Sequence, residues 1–165
     1  MAFDYLQADA VTVHPYLGAE ALEPFLARAE KGIIVLCRTS NPGAGEFQDL
    51  SISLAGGTVP LYQYIAQHVA EEWNKNDNCA LVVGATYPIE MKKIREITED
   101  MTFLVPGIGA QGGDLETVIK NGLNSEKLGL VINSARSIIF SDNPKEEAKK
   151  LCEEIRKYKV IDNPM

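Results

Sequence analysis

Apolar residues follow two different spacings along this chain. Short apolar runs rich in β-branched residues recur between longer stretches whose apolar residues fall three or four positions apart. The runs predict five strands, at residues 10–14, 32–37, 79–84, 102–105 and 130–133. A predicted helix follows each strand. The pattern therefore predicts five consecutive βα units of an α/β fold, with a parallel sheet and helices outside it.

The predicted helices begin at recognisable signals. Leu22, Phe25 and Leu26 share one face of the first helix, with Pro24 placed in its first turn. Asp114 is the predicted N-cap of the helix that ends near Gly122. Prolines are predicted to begin the other three helices, and these are Pro60, Pro88 and Pro144.

Two stretches fall outside the βα units. Residues 41–59 are predicted as a long loop, and loops above about 12–15 residues are uncommon unless they are functional or disordered. Such a loop is long enough to close over a ligand and exclude water. Residues 3–6 are predicted as the tail of a helix before the first strand.

Composition narrows the classes of protein that fit. The 165 residues suit a single domain spanning 1–165, without a linker. A net charge of −7 disfavours nucleic acid and anionic membrane as partners. The apolar runs are too short to cross a membrane and no signal peptide is evident, so a cytoplasmic location is expected. The three scattered cysteines have no metal-site spacing and are expected to be reduced.

Two neighbouring strand ends carry the clearest candidate chemistry. The strand at 102–105 runs into a glycine-rich segment at 106–113, whose backbone N–H groups can surround an anion. The strand at 130–133 is followed by Ser134, Ala135 and Arg136, and an arginine offers a planar fork to phosphate oxygens. The pair is typical of the phosphate site after strands 7 and 8 of a β/α barrel.

A complete β/α barrel has eight units and about 250 residues. Five units would take about 155 residues at that rate, which is close to the length of this chain. The expected fold is therefore a partial (β/α)8 TIM barrel, with strands equivalent to barrel strands 4–8.

Five segments in order resemble the orotidine 5′-phosphate decarboxylase family, especially its divergent group with a Thr-Ser-Asn-Pro-Gly loop. The segments are Ala8 to Gly18, Leu36 to Gly43, Val83 to Thr86, Val105 to Gly113 and Asn133 to Arg136. The resemblance implies conversion of orotidine 5′-phosphate to UMP and CO2 in de novo pyrimidine biosynthesis, a carboxy-lyase activity without metal or cofactor. It also implies that Ser40 contacts the pyrimidine, that Gln111 bridges base and phosphate, and that Arg136 with the backbone of Ala135 holds the phosphate.

One part of the family pattern is missing. The Asp-x-Lys-x-x-Asp motif of the family supplies its catalytic lysine and aspartates, and the 165 residues do not contain it. We therefore assign no catalytic residue and expect the chain to be inactive alone. The family implies a homodimer, and the missing units suggest association with an N-terminal half.

Several alternatives stay open. The chain is either an incomplete part of a decarboxylase or a non-catalytic nucleotide-binding barrel module. A different phosphosugar barrel enzyme is a third reading, against which the Thr-Ser-Asn-Pro-Gly loop argues. Ser40 also fits an ordinary turn serine, Gln111 a polar loop residue and Arg136 a surface arginine. His14 is expected to be a hydrogen-bonded histidine of the barrel.

Overall fold

A parallel sheet organises the fold. The computed structural model describes residues 2–109 and 112–161. Numbered along the chain, the strands of these residues are β1 (Ala10–Val13), β2 (Gly32–Arg38), β3 (Ser51–Leu54), β4 (Gly57–Pro60), β5 (Cys79–Val83), β6 (Thr102–Pro106) and β7 (Leu130–Asn133). Five of them form one sheet in the order β1-β2-β5-β6-β7, and every pairing in it is parallel. The predicted α/β class and the five predicted strands are confirmed.

Helices connect the strands of the sheet. Within the described residues they are α1 (Gly18–Leu26), α2 (Gly45–Gln48), α3 (Leu61–His68), α4 (Pro88–Thr98), α5 (Leu115–Gly122), α6 (Arg136–Ile139) and α7 (Pro144–Ile161). A π-helical turn, Val69–Trp73, continues α3, and 3-10 turns precede α1 and α2. No helix among residues 2–109 and 112–161 is long and apolar enough to cross a membrane.

The start of the first helix was predicted wrongly. Pro24 lies inside α1, six residues after its first residue Gly18, rather than in its first turn. The helix begins early because a 3-10 turn, Pro15–Leu17, leads directly into it. The carbonyl of Glu20 then has no helical N–H from Pro24, which is tolerable because Glu20 is exposed. Residues 2–5 form turns and residue 6 a bend, so the predicted tail of a helix at residues 3–6 is wrong.

The predicted loop at 41–59 also has structure of its own. It contains α2 and an antiparallel hairpin in which Ile52 pairs with Val59 and Leu54 with Gly57. The signal was present, because residues 51–54 alternate polar and apolar side chains before a two-residue connection that includes Gly56. The apolar run was too short to stand out beside the strands of the main sheet.

The two faces of the sheet differ in their covering. One face packs against the helices and contains fully buried side chains such as Val35, Leu81 and Phe103. Alternate residues point to the other face. There, Ile34 and Leu104 are only half-buried, and Val131 is 54% exposed. Val82, at the centre of the same face, is 4% exposed, so this face is partly open to solvent and not fully exposed.

Candidate functional site

The loops at the carboxyl ends of the strands form one continuous edge. The N–H of Gly84 donates to the carbonyl of Arg38 at 2.7 Å, joining the ends of β5 and β2. The N–H of Ala85 donates to the carbonyl of Pro106 at 2.9 Å, joining the ends of β5 and β6. Pro106 in turn pairs with Asn133 at the end of β7. Ligand sites of α/β proteins lie at such an edge.

Ser40 is half-buried at this edge, two residues after β2. Its carbonyl accepts a hydrogen bond from Thr86 Oγ1 at 3.2 Å. Gly84 approaches it so closely that a Cβ on Gly84 would lie 2.7 Å from the N, Cα and Cβ atoms of Ser40. The Ser40 hydroxyl makes no hydrogen bond to any residue that the structure describes, so it is available to a ligand.

The glycine-rich segment after β6 folds back on itself. Gly107, Gly109 and Gly112 all have positive φ angles, which only glycine adopts at little cost. The N–H of Gly113 returns to the carbonyl of Gly107 at 3.1 Å. Gly107 and Gly113 are thereby held close together. Gln111, the residue predicted to bridge base and phosphate, lies outside the described residues.

Arg136 is the first residue of α6, and Ala135 is its N-cap. The Arg136 side chain is exposed and makes no ion pair or hydrogen bond with residues 2–109 or 112–161. The Ser134 and Ser137 hydroxyls share a hydrogen bond of 2.6 Å. A cavity of about 220 Å³ lies beside Gly109, Ser134 and Ser137, with Glu147 and Lys150 of α7 at its border. The backbone segment that contains Arg136 therefore passes beside Gly109, although the Arg136 side chain does not line this cavity.

A buried arginine was not foreseen as part of the site. Arg38 ends β2 and is only 1% exposed. Its guanidinium stacks 3.7 Å from the centre of the Tyr87 ring and pairs with Asp49 at 3.0 Å. The side chain of Gln48 accepts a hydrogen bond from Arg38 Nη1 at 3.3 Å. A charged residue at the end of an apolar strand was the only sequence signal for this cluster.

Asp114 is the N-cap of α5, the helix after the glycine loop, as predicted. Its carboxylate accepts hydrogen bonds from the backbone N–H and the hydroxyl of Thr117. These bonds lower the pKa of Asp114, because they stabilise the charged form. Negative charge at this helix start also suits the helix dipole.

Two other candidates for chemistry, His14 and Cys79, make no contribution to this group of residues. His14 is exposed and makes no hydrogen bond with the described residues, so the expected hydrogen-bonded histidine is wrong. It lines an apolar cavity of about 450 Å³ with Phe47, Tyr64 and Trp73, and Gln48 of the Arg38 cluster lies at the border of the same cavity. Burial raises the pKa of the Cys79 thiol to about 11, which keeps this cysteine unreactive at neutral pH.

The chain is similar to a known protein family and to curated members of that family. The family model described as the orotidine 5′-phosphate decarboxylase / HUMPS family matches residues 1–151. An orotidine 5′-phosphate decarboxylase of Cellvibrio japonicus is 50% identical over 142 residues, which cover 86% of this chain and 50% of that protein. The chain thus spans about half the length of the curated relatives it matches.

Solved structures give the same relationship. The UMP synthase of Leishmania donovani is 40% identical with a TM-score of 0.91, over 96% of this chain and 35% of that one. The orotidine 5′-phosphate (OMP) decarboxylase of the same organism is 37% identical with a TM-score of 0.88, over 96% of this chain and 60% of that one.

Proposed function

Since the chain belongs to the orotidine 5′-phosphate decarboxylase / HUMPS family, we propose that it forms the nucleotide-binding part of an orotidine 5′-phosphate decarboxylase. The reaction releases the substrate carboxylate as CO2 and leaves UMP. The relatives that carry this name match over 85% or more of the chain. In this proposal, residues of this chain bind the nucleotide, and units outside these 165 residues supply the groups for the chemical step.

The exposed side chain of Arg136, unpaired among the described residues, is the main observation behind the proposal. It is an exposed cation in a chain of net charge −7, no described residue pairs with it, and its neighbours Ser134 and Ser137 lie beside Gly109. In the proposed complex its guanidinium binds the 5′-phosphate together with backbone N–H groups near Ala135 and in the glycine loop. Charge-assisted bonds of this kind are about twice as strong as neutral ones. Gln111 is proposed to bridge phosphate and base.

Ser40 is proposed to bind the pyrimidine. Its half-buried position at the end of β2 and its unpartnered hydroxyl support this role. The phosphate is remote from the reacting carbon. Binding energy gained at the phosphate can therefore lower the barrier to decarboxylation only if the base is held in a fixed position relative to the phosphate. The phosphate and the base are thus proposed to bind at the same edge of the sheet.

The chemical step needs groups that these residues do not supply. No Asp-x-Lys-x-x-Asp motif occurs in the 165 residues, and Lys92 and Lys93 are exposed on α4. The partly exposed sheet face with Ile34, Leu104 and Val131 supports a partial barrel that further βα units complete. The alternative, a non-catalytic nucleotide-binding module, is favoured by the same missing motif.

Calorimetric titration of Arg136→Ala with UMP and with uridine tests the proposal. Loss of a charge-assisted contact costs about 1.5–3 kcal/mol, so UMP affinity is expected to fall tenfold or more. Uridine, which has no phosphate, is expected to bind as before. Arg156→Ala removes another exposed arginine, on α7, and serves as the control. An equal loss for UMP and uridine would show that Arg136 does not bind phosphate.

A further inference from the structure

The apolar cavity of about 450 Å³ that His14 and Trp73 line contains none of the residues assigned to the nucleotide, and we call it the aromatic cavity. Its walls come from α2, α3, the π-helical turn, the end of β2 and the 3-10 turn before α1. Cavities that hold small molecules have volumes of about 300–1,000 Å³. The aromatic cavity is therefore large enough for a ligand of its own.

Three rings on one helical face form a wall of this cavity. Tyr64 and His68 are four residues apart in α3, and an α-helix places such residues on the same face, one turn apart. Their rings stack with centres 5.7 Å apart. The His68 ring also meets the Trp73 ring edge to face, with centres 5.2 Å apart. The wall is thus a continuous row of aromatic surface.

The π-helical turn Val69–Trp73 places the third ring in this row. Trp73 follows His68 by five residues, and in an α-helix that spacing would turn its side chain about 140° away from the His68 side chain. The π turn contains one more residue, because the N–H of Asn74 donates to the carbonyl of Val69 at 2.9 Å. Trp73 therefore returns to the face of His68. Turns of this kind are rare and occur frequently at functional sites.

The polar groups that line the aromatic cavity favour an uncharged ligand. No Asp, Glu, Lys or Arg among the described residues lines it, so it offers no partner to a phosphate or a carboxylate. His14 and His68 do line it, and neither imidazole makes a hydrogen bond to a described residue. A neutral imidazole has one N–H donor and one acceptor nitrogen. Both kinds of hydrogen bond are therefore available to a ligand.

We propose that the aromatic cavity is a second small-molecule site, which binds a neutral planar aromatic ring with a hydrogen-bonding substituent. The ring packs against the aromatic row, and the substituent bonds to the imidazoles of His14 and His68. Uncharged heteroaromatic bases belong to this class of ligand. A nucleotide does not, because its phosphate finds no cation here. The site goes beyond the proposed function, and its test involves no nucleotide.

The fluorescence of Trp73 tests the proposal directly, because Trp73 is the only tryptophan of the chain. Benzamide is the probe, since it is neutral and planar and its amide both donates and accepts hydrogen bonds. Each of two control compounds changes one property. Benzoate has the same ring with a negative charge, and cyclohexanecarboxamide has the same amide without a planar ring. The titrations are done at about pH 8, where an ordinary imidazole is neutral.

Benzamide is expected to change the Trp73 fluorescence to saturation, with a dissociation constant of about 1 mM or lower. Benzoate and cyclohexanecarboxamide are each expected to bind at least about tenfold more weakly, because one loses solvation of its charge and the other loses ring packing.

Two variants locate the bound probe. Phe47→Ala removes a ring that is 61% exposed, and His14→Ala removes an exposed imidazole, so both variants are expected to fold. Each should weaken benzamide binding about three- to tenfold. Phe140→Ala is the matched control, because Phe140 is 81% exposed and does not line the cavity. It should leave benzamide binding unchanged.

Opposite results overturn the proposal. Benzoate or cyclohexanecarboxamide binding as tightly as benzamide would show that the cavity does not select neutral planar rings. Equal benzamide affinities of Phe47→Ala, His14→Ala and Phe140→Ala would show that benzamide binds elsewhere. Absence of a saturable benzamide signal would also refute the site. If Trp73 fluorescence then followed self-association in light scattering, the occupant of the cavity would be a second copy of the chain.

Discussion

Gly84→Ala is the substitution that tests the geometry of the sheet edge most directly. The added Cβ would lie 2.7 Å from three atoms of Ser40, whereas ordinary van der Waals contact begins near 3.4 Å. The ends of β5 and β2 must therefore separate by about 0.7 Å, and two of the three atoms that must move belong to the Ser40 backbone. Neither strand end can yield freely, because the Gly84 N–H is bonded to the Arg38 carbonyl at 2.7 Å.

Overpacking of this kind costs about 1–3 kcal/mol. For a chain of 165 residues that corresponds to a fall in unfolding midpoint of about 2–12 °C. Because the displaced residue is Ser40, the UMP-to-CMP affinity ratio is expected to fall as well. Thermal unfolding at matched protein concentration measures the first effect, and competitive calorimetry measures the second.

Gly43→Ala provides the matched control. A Cβ there would meet only Asn41 Nδ2, at an ordinary 3.8 Å, and Gly43 lies in an exposed 3-10 turn. Its unfolding free energy is expected to stay within about 0.5 kcal/mol of the unaltered chain. If Gly84→Ala is as stable and as selective as Gly43→Ala, the close approach of β5 to Ser40 does not exist in solution, and the argument for a rigid edge fails.

Three further predictions follow from other parts of the chain. Ser40→Ala should lower the UMP-to-CMP affinity ratio and leave the UMP-to-uridine ratio unchanged; an unchanged UMP-to-CMP ratio would make Ser40 a simple turn residue. Asp114→Ala should cost about 1 kcal/mol of unfolding free energy at neutral pH. Because the pKa of Asp114 is lowered in the fold, this difference should shrink as pH falls below about 4, and a constant difference in urea titrations would contradict the cap. The chain alone should associate in light scattering and release no CO2 from orotidine 5′-phosphate, while added βα units carrying Asp-x-Lys-x-x-Asp should restore turnover. A stable monomer or turnover by the chain alone would refute the partial barrel.

The elements that the sequence predicted well are those with purely local causes. Residues 130–133 form a strand as predicted, because three branched apolar residues in a row follow Gly129, whose φ angle is positive. The α5 helix begins and ends as predicted, because Asp114 caps it and Gly122 is its last residue. In each case the signal lies within a few residues of the element.

The parts that were missed depend on contacts between distant segments or on weak local patterns. In the sequence, Arg38 looks like an ordinary polar residue at a strand end. Its partners Asp49 and Tyr87 belong to two different loops, and only the fold brings them to Arg38. Pro24 was misplaced because the preceding 3-10 turn, which determines where α1 begins, has no strong propensity signal. The role of Gln111 stays a prediction.

The two ends of the proposed nucleotide site are related by the backbone rather than by side chains. Gly84 lets β5 approach Ser40, and Gly113 lets the glycine loop approach Ala85, where a Cβ would lie only 2.5 Å from the Ala85 Cβ. From β2 to β7 the edge crosses three strand spacings, or about 14 Å. Backbone contacts therefore join the strand ends that precede Ser40 and Arg136. A substitution at Gly84 or Gly113 should change base and phosphate binding together, whereas Ser40 and Arg136 variants should each change only one of them.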